Sequence, residues 1–68
     1  MTQTYRLNGD TRSWQPEITV RQAVTAAGLE GTWFAVALNG AVVPASQWAG
    51  TEIPLNGELD IIQPCQGG

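Results

Sequence analysis

The sequence predicts an α+β fold in which one β-sheet carries one α-helix packed across it. Alternating polar and apolar residues mark strands at Gln3 to Leu7, at Thr32 to Asn39 and at Leu59 to Gln63. Asn-Gly dipeptides at Asn8-Gly9, Asn39-Gly40 and Asn56-Gly57 punctuate the chain where tight turns belong. One segment between the first two turns keeps a helical period instead.

In the first strand Tyr5 and Leu7 share a face, and Asn8-Gly9-Asp10 turns the chain into a return strand from Arg12 to Trp14, which ends near Pro16. The helix has a defined start: Thr19 as N-cap and Gln22 three positions on form a capping-box pattern, with Ile18 placed as a staple toward Ala23. Val20, Ala23, Val24 and Ala27 make one apolar stripe, and Gly28 stops the helix.

Thr32 to Asn39 is the strongest strand, with Phe34, Val36 and Leu38 on one face and Trp33, Ala35 and Ala37 on the other. Small alanines opposite make the Phe34 face the core side. Asn39-Gly40 then turns into Val42-Val43, and Pro44 ends that hairpin. Ser46 is placed to cap a short helical turn through Gln47 and Trp48, closed by Gly50 before Thr51 to Leu55. After the last strand, Pro64-Cys65-Gln66-Gly67-Gly68 contains a breaker, two glycines and nothing to bury. The division expected is a folded domain over residues 1–63 and a flexible tail over 64–68.

Composition narrows the function. A chain of 68 residues has room for one domain with a thin core, which argues against a deep internal active site. Hydrophobic residues are 43% and charged residues 13%, the balance of a folded globule. No apolar run approaches a membrane span, and the first residues lack the pattern of a signal peptide, so the expected compartment is the cytoplasm. One cysteine and no histidine leave no internal disulfide and no zinc set of nitrogen and sulfur ligands. A net charge of −3 from three arginines and six acids repels a nucleic-acid backbone and suits a partner of complementary positive charge.

Taken alone, the Gly67-Gly68 pair reads either as a frayed chain end of no importance or as a site of chemistry. Two residues without Cβ let a narrow channel in another protein admit the backbone beside a carboxylate. A carboxylate becomes an acyl donor once its oxygen is exchanged for a better leaving group; adenylation by ATP does this, and a sulfur nucleophile can then form a thiocarboxylate. No general base, nucleophilic dyad or catalytic carboxylate pair is argued by spacing elsewhere.

The stretch Ala35-Val36-Ala37-Leu38-Asn39-Gly40-Ala41-Val42-Val43-Pro44, followed by Ser46-Gln47-Trp48, resembles the central strand, turn, Val-Pro and Trp of the ThiS family of sulfur carriers. Leu7-Asn8-Gly9-Asp10 resembles that family's first hairpin. Asn56-Gly57-Glu58-Leu59-Asp60-Ile61-Ile62 resembles its last turn and strand, with Gly-Glu where the family usually has Gly-Asp.

The resemblance implies a β-grasp (ubiquitin-like) mixed sheet with one main helix and a short helical turn before the last strand. It also implies a function in thiamine biosynthesis. A ThiF- or MoeB-type enzyme adenylates Gly68 with ATP, a persulfide donor delivers sulfur, and thiazole synthase consumes the thiocarboxylate. The chain is then a protein co-substrate and not an enzyme, with no cofactor or metal of its own. A MoaD-like carrier for molybdopterin, a pathway-specific sulfur carrier, a ubiquitin-like modifier and a plain binding module are the alternatives. Without lysine, the chain would conjugate only as donor.

Pro64, Cys65, Gln66 and Gly67 are expected to lie against the partner that takes Gly68. Cys65 reads first as a small tolerated tail residue, although its thiol is near enough in sequence to attack an activated Gly68 or to pair with a partner cysteine. Of three tryptophans, Trp48 belongs in the core and Trp33, opposite the Phe34 face, is the expected exposed partner anchor.

Overall fold

The alternating segments pair into one five-stranded sheet in the computed structural model, which describes residues 2–63. In chain order the elements are β1 (Thr4–Leu7), β2 (Asp10–Ser13), α1 (Val20–Ala26), β3 (Ala35–Leu38), β4 (Ala41–Val42), a 3-10 helix (Ala45–Gly50) and β5 (Glu58–Ile62). The sheet order is β2-β1-β5-β3-β4; β1 and β5 run parallel and the other neighbours antiparallel. This is the mixed sheet with one helix across it that the sequence predicts.

The first two turns form as the dipeptides require. Asn8 (φ 51°) with Gly9 (φ 86°), and Asn39 (φ 51°) with Gly40 (φ 86°), place both central residues in the left-handed region that a two-residue hairpin of matching twist demands. The third turn falls one residue early, over Leu55-Asn56, with the Gly57 N–H donating to the Pro54 carbonyl at 2.9 Å. Glycine at 57 answers crowding, because a Cβ there would lie 2.9 Å from that same carbonyl oxygen.

Helix α1 starts and stops where the residues say. The Thr19 side chain accepts from the Gln22 N–H at 3.2 Å, and the Gln22 side chain accepts from the Thr19 N–H at 2.9 Å. At the other end Gly28 (φ 84°) donates to Thr25 O and Leu29 to Val24 O, the paired bonds of a Schellman stop. Val20, Ala23 and Val24 are buried, and Ala27 is partly so.

The core lies between α1 and one sheet face. Tyr5 and Leu7 of β1, Val36 of β3, and Leu59 and Ile61 of β5 point into it with Phe34, Val43, Trp48 and Ile53. Trp48 fills its centre: the indole N–H donates to Val43 O at 2.8 Å, and the ring stacks on Phe34 with centroids 5.2 Å apart.

Three further local expectations are corrected. The return strand begins at Asp10 and ends at Ser13, although the Trp14 N–H still donates to Gln3 O. β3 begins at Ala35 and not Thr32, because the described ladder with β5 runs out at the pair Ala35↔Ile62 and Gly31 (φ 82°) bends the approach. Ser46 does not cap: Pro44 is the N-cap with no side-chain hydrogen bond, and its carbonyl accepts from the Gln47 N–H in the three-residue step of a 3-10 helix. Outside these, Thr51 to Leu55 holds an isolated bridge, Thr19↔Glu52.

Candidate functional site

β5 carries the chain toward residues 64–68, so its placement decides where any chemistry beyond it is presented. Its residues alternate: Leu59 and Ile61 are buried, while Glu58, Asp60 and Ile62 are exposed. An amphipathic strand of this kind can sit in the middle of a sheet with one face covered, and β5 does so between β1 and β3.

Backbone bonds hold it from both sides. Arg6 N–H donates to Gly57 O at 2.9 Å and Asn8 N–H to Leu59 O at 2.9 Å from the β1 side; Asn39 N–H donates to Glu58 O at 2.7 Å from the β3 side. Two side chains complete the set. Asn39 Oδ1 accepts from the Glu58 N–H at 2.9 Å, and Asn8 Oδ1 accepts from the Ile61 N–H at 2.7 Å. Sequence reasoning took both asparagines as turn formers and missed this second use; the available signal was that asparagine's side chain carries an acceptor where glycine carries none.

Of the predicted site residues, Trp33 lies among those described. It is 53% exposed, as expected for an anchor, with its ring edge-on to Phe34 at 5.2 Å. It stands two residues before Ala35, which pairs with Ile62, so the register sets Trp33 at the end of the sheet where β5 departs. Ile62 and Val42 are exposed on the sheet face away from α1. Pro64, Cys65, Gln66, Gly67 and Gly68 lie outside the described residues.

The remaining chemistry is sparse. The described residues bury no charged side chain, and they hold no cluster of three or more histidine, cysteine or acidic groups suited to a metal. No described helix is long and apolar enough to cross a membrane. Burial raises the Tyr5 phenol above its ordinary pKa of 10.0, an effect that the neighbouring Arg12 guanidinium partly offsets. Tyr5 and Arg12 line an open groove of about 600 Å³ between β2 and α1, together with Gln15, Glu17 and Gln22. None of its lining residues belongs to β3 or β5, so it is separate from the end of the sheet where Trp33 lies.

The sequence profile of the ThiS family matches residues 3–68, nearly the whole chain. The chain belongs to the ThiS family. A solved ThiS structure, the thiamine biosynthesis protein of Geobacter metallireducens, has the same fold with a TM-score of 0.77, covering 96% of this chain and 99% of that one at 19% identity. No curated protein sequence matches the chain significantly. The ThiS match takes in both Gly67 and Gly68 as well as β5, the central strand from which they follow.

Proposed function

We propose that this ThiS-family chain is a sulfur carrier of thiamine biosynthesis whose reacting group is the carboxylate of Gly68. The ThiS match running through residue 68 is the observation that carries this reading. In the first step the carboxylate oxygen attacks the α-phosphorus of ATP on a ThiF- or MoeB-type enzyme, and pyrophosphate leaves. The terminal sulfur of a persulfide donor then attacks the carbonyl carbon, expelling AMP; a thiol cleaves the resulting S–S bond and leaves the thiocarboxylate. Thiazole synthase takes the sulfur. ATP is consumed by the partner, the chain itself acts as co-substrate, and the work is cytoplasmic.

The domain contributes presentation. Pro64, Cys65, Gln66 and Gly67 thread the partner's channel, where the absence of a Cβ at Gly67 relieves crowding beside the carbonyl under attack. Trp33, half exposed at the end of the sheet, docks on the activating enzyme as an aromatic anchor. Six acidic side chains against three arginines favour a basic surface on that partner.

Intact-mass spectrometry tests the reading. The chain is incubated with ATP, a ThiF- or MoeB-type activating enzyme from the same organism and a sulfur donor; a C-terminal fragment with one oxygen replaced by sulfur is expected. A fragment that stays unmodified with those partners would overturn the carrier function.

A further inference from the structure

The parallel ladder between β1 and β5 is completed by a side chain. In a parallel pair the rungs alternate, and after Asn8 N–H donates to Leu59 O the next rung is the Ile61 N–H to the backbone carbonyl of residue 8. The Ile61 N–H goes instead to the side chain of Asn8, a left-handed residue (φ 51°) that opens the hairpin to β2. Asn8 Oδ1 takes the place of the backbone carbonyl at 2.7 Å from the Ile61 nitrogen, in a partly buried bond. Asn39 repeats the device on the other edge of β5: its backbone turns into the second hairpin, and Oδ1 accepts from the Glu58 N–H instead.

The two bonds differ in place. Asn39 holds the first residue of β5, whereas Asn8 holds its penultimate residue, three positions before Pro64. β1 itself ends at Leu7, so on that side the Asn8 side chain is the last described hold on the strand before residue 64.

We propose that Asn8 is a positioning residue for acyl activation: its side-chain carbonyl fixes the exit of β5 and thereby the direction in which residues 64–68 enter the activating enzyme. The proposal rests on the carrier reading above. The docking face stays intact without the Asn8 acceptor while the carboxylate is less often in line with the phosphorus, so the loss falls on kcat and leaves KM nearly unchanged.

Glycine and aspartate separate the roles of residue 8. Asn8→Gly keeps a left-handed turn and deletes the acceptor; Asn8→Asp keeps a side-chain oxygen at the same place. Asn39→Gly deletes the equivalent bond at the far end of β5 and controls for stability. Pyrophosphate release by the activating enzyme is measured with each full-length chain, alongside amide hydrogen exchange at Ile61.

Expected for Asn8→Gly is a fall in kcat of about tenfold or more, with Ile61 exchanging roughly three- to tenfold faster. Asn8→Asp restores most of both, and Asn39→Gly leaves kcat unchanged despite a comparable loss of stability. Equal effects of Asn8→Gly and Asn39→Gly on kcat, or an undiminished kcat in Asn8→Gly, would overturn the positioning function while leaving the carrier function standing. A wild-type chain that supports no pyrophosphate release with its cognate enzyme would remove both.

Discussion

Trp48 and Tyr5 show what single residues decide in so thin a core. Trp48 is 1% exposed, stacks on Phe34 and satisfies the Val43 carbonyl. Replacing it by phenylalanine leaves a void and a buried acceptor without its donor, so Trp48→Phe is expected to lower unfolding free energy by about 2–4 kcal/mol in urea titrations.

Tyr5 governs the alkaline limit of stability. Its folded pKa is raised by burial, so the neutral phenol is the form the fold prefers; that contribution is complete below pH 10.0 and is lost as pH climbs through the raised folded value. It is the only tyrosine in a chain without lysine. The melting temperature is therefore expected to fall above about pH 10 in the wild type and to fall less steeply in Tyr5→Phe. Trp48 was legible from sequence as a core member, and alternation placed Tyr5 on one face with Leu7. The Asn8 and Asn39 side-chain bonds were not legible, because they join residues 53 and 19 positions apart and depend on a sheet order no local pattern reveals.

At the scale of elements, α1 has only seven residues, well under the length at which a helix holds by itself, so its ends and its packed face must hold it. Both reciprocal capping bonds at Thr19 and Gln22 are made. Thr19→Ala is expected to cost about 1 kcal/mol, read from the denaturation midpoint. The helix start, its glycine stop and the two hairpin turns could be read directly, since each rests on contacts within a few residues. The start of β3 could not: Thr32 to Phe34 has strand-like alternation, but a strand needs a partner, and the described ladder begins at Ala35. Ser46 was similarly misread, as the 3-10 geometry begins from Pro44 without needing a side-chain acceptor.

For the whole molecule, the domain and the proposed reacting end are expected to separate cleanly. Deleting Gly68 should change unfolding free energy by less than about 0.5 kcal/mol while abolishing adenylation, because the described core is built entirely from residues ahead of it. A large loss of stability would show that the last residues pack on the domain. Trp33→Ala tests the docking anchor: half exposed and outside the strands, it should cost folding about 1 kcal/mol or less and raise the KM of activation severalfold. The fold class was legible because turns, helix caps and alternation all agreed, and the family resemblance reached the same topology independently.

The sheet order also governs when the protein becomes a protein during synthesis. β1 is made first, yet its partner on the inner side is β5, the last strand described, and β3 with β4 stays detached from β1 with β2 until β5 arrives between them. A nascent chain cannot close its core on the ribosome before almost all of it has emerged. Any product cut short before Glu58 lacks the strand that joins the two halves of the sheet and lacks Gly68 as well. Translation that stops before β5 therefore yields an unfolded chain for the proteases, which cannot occupy the activating enzyme as a folded competitor.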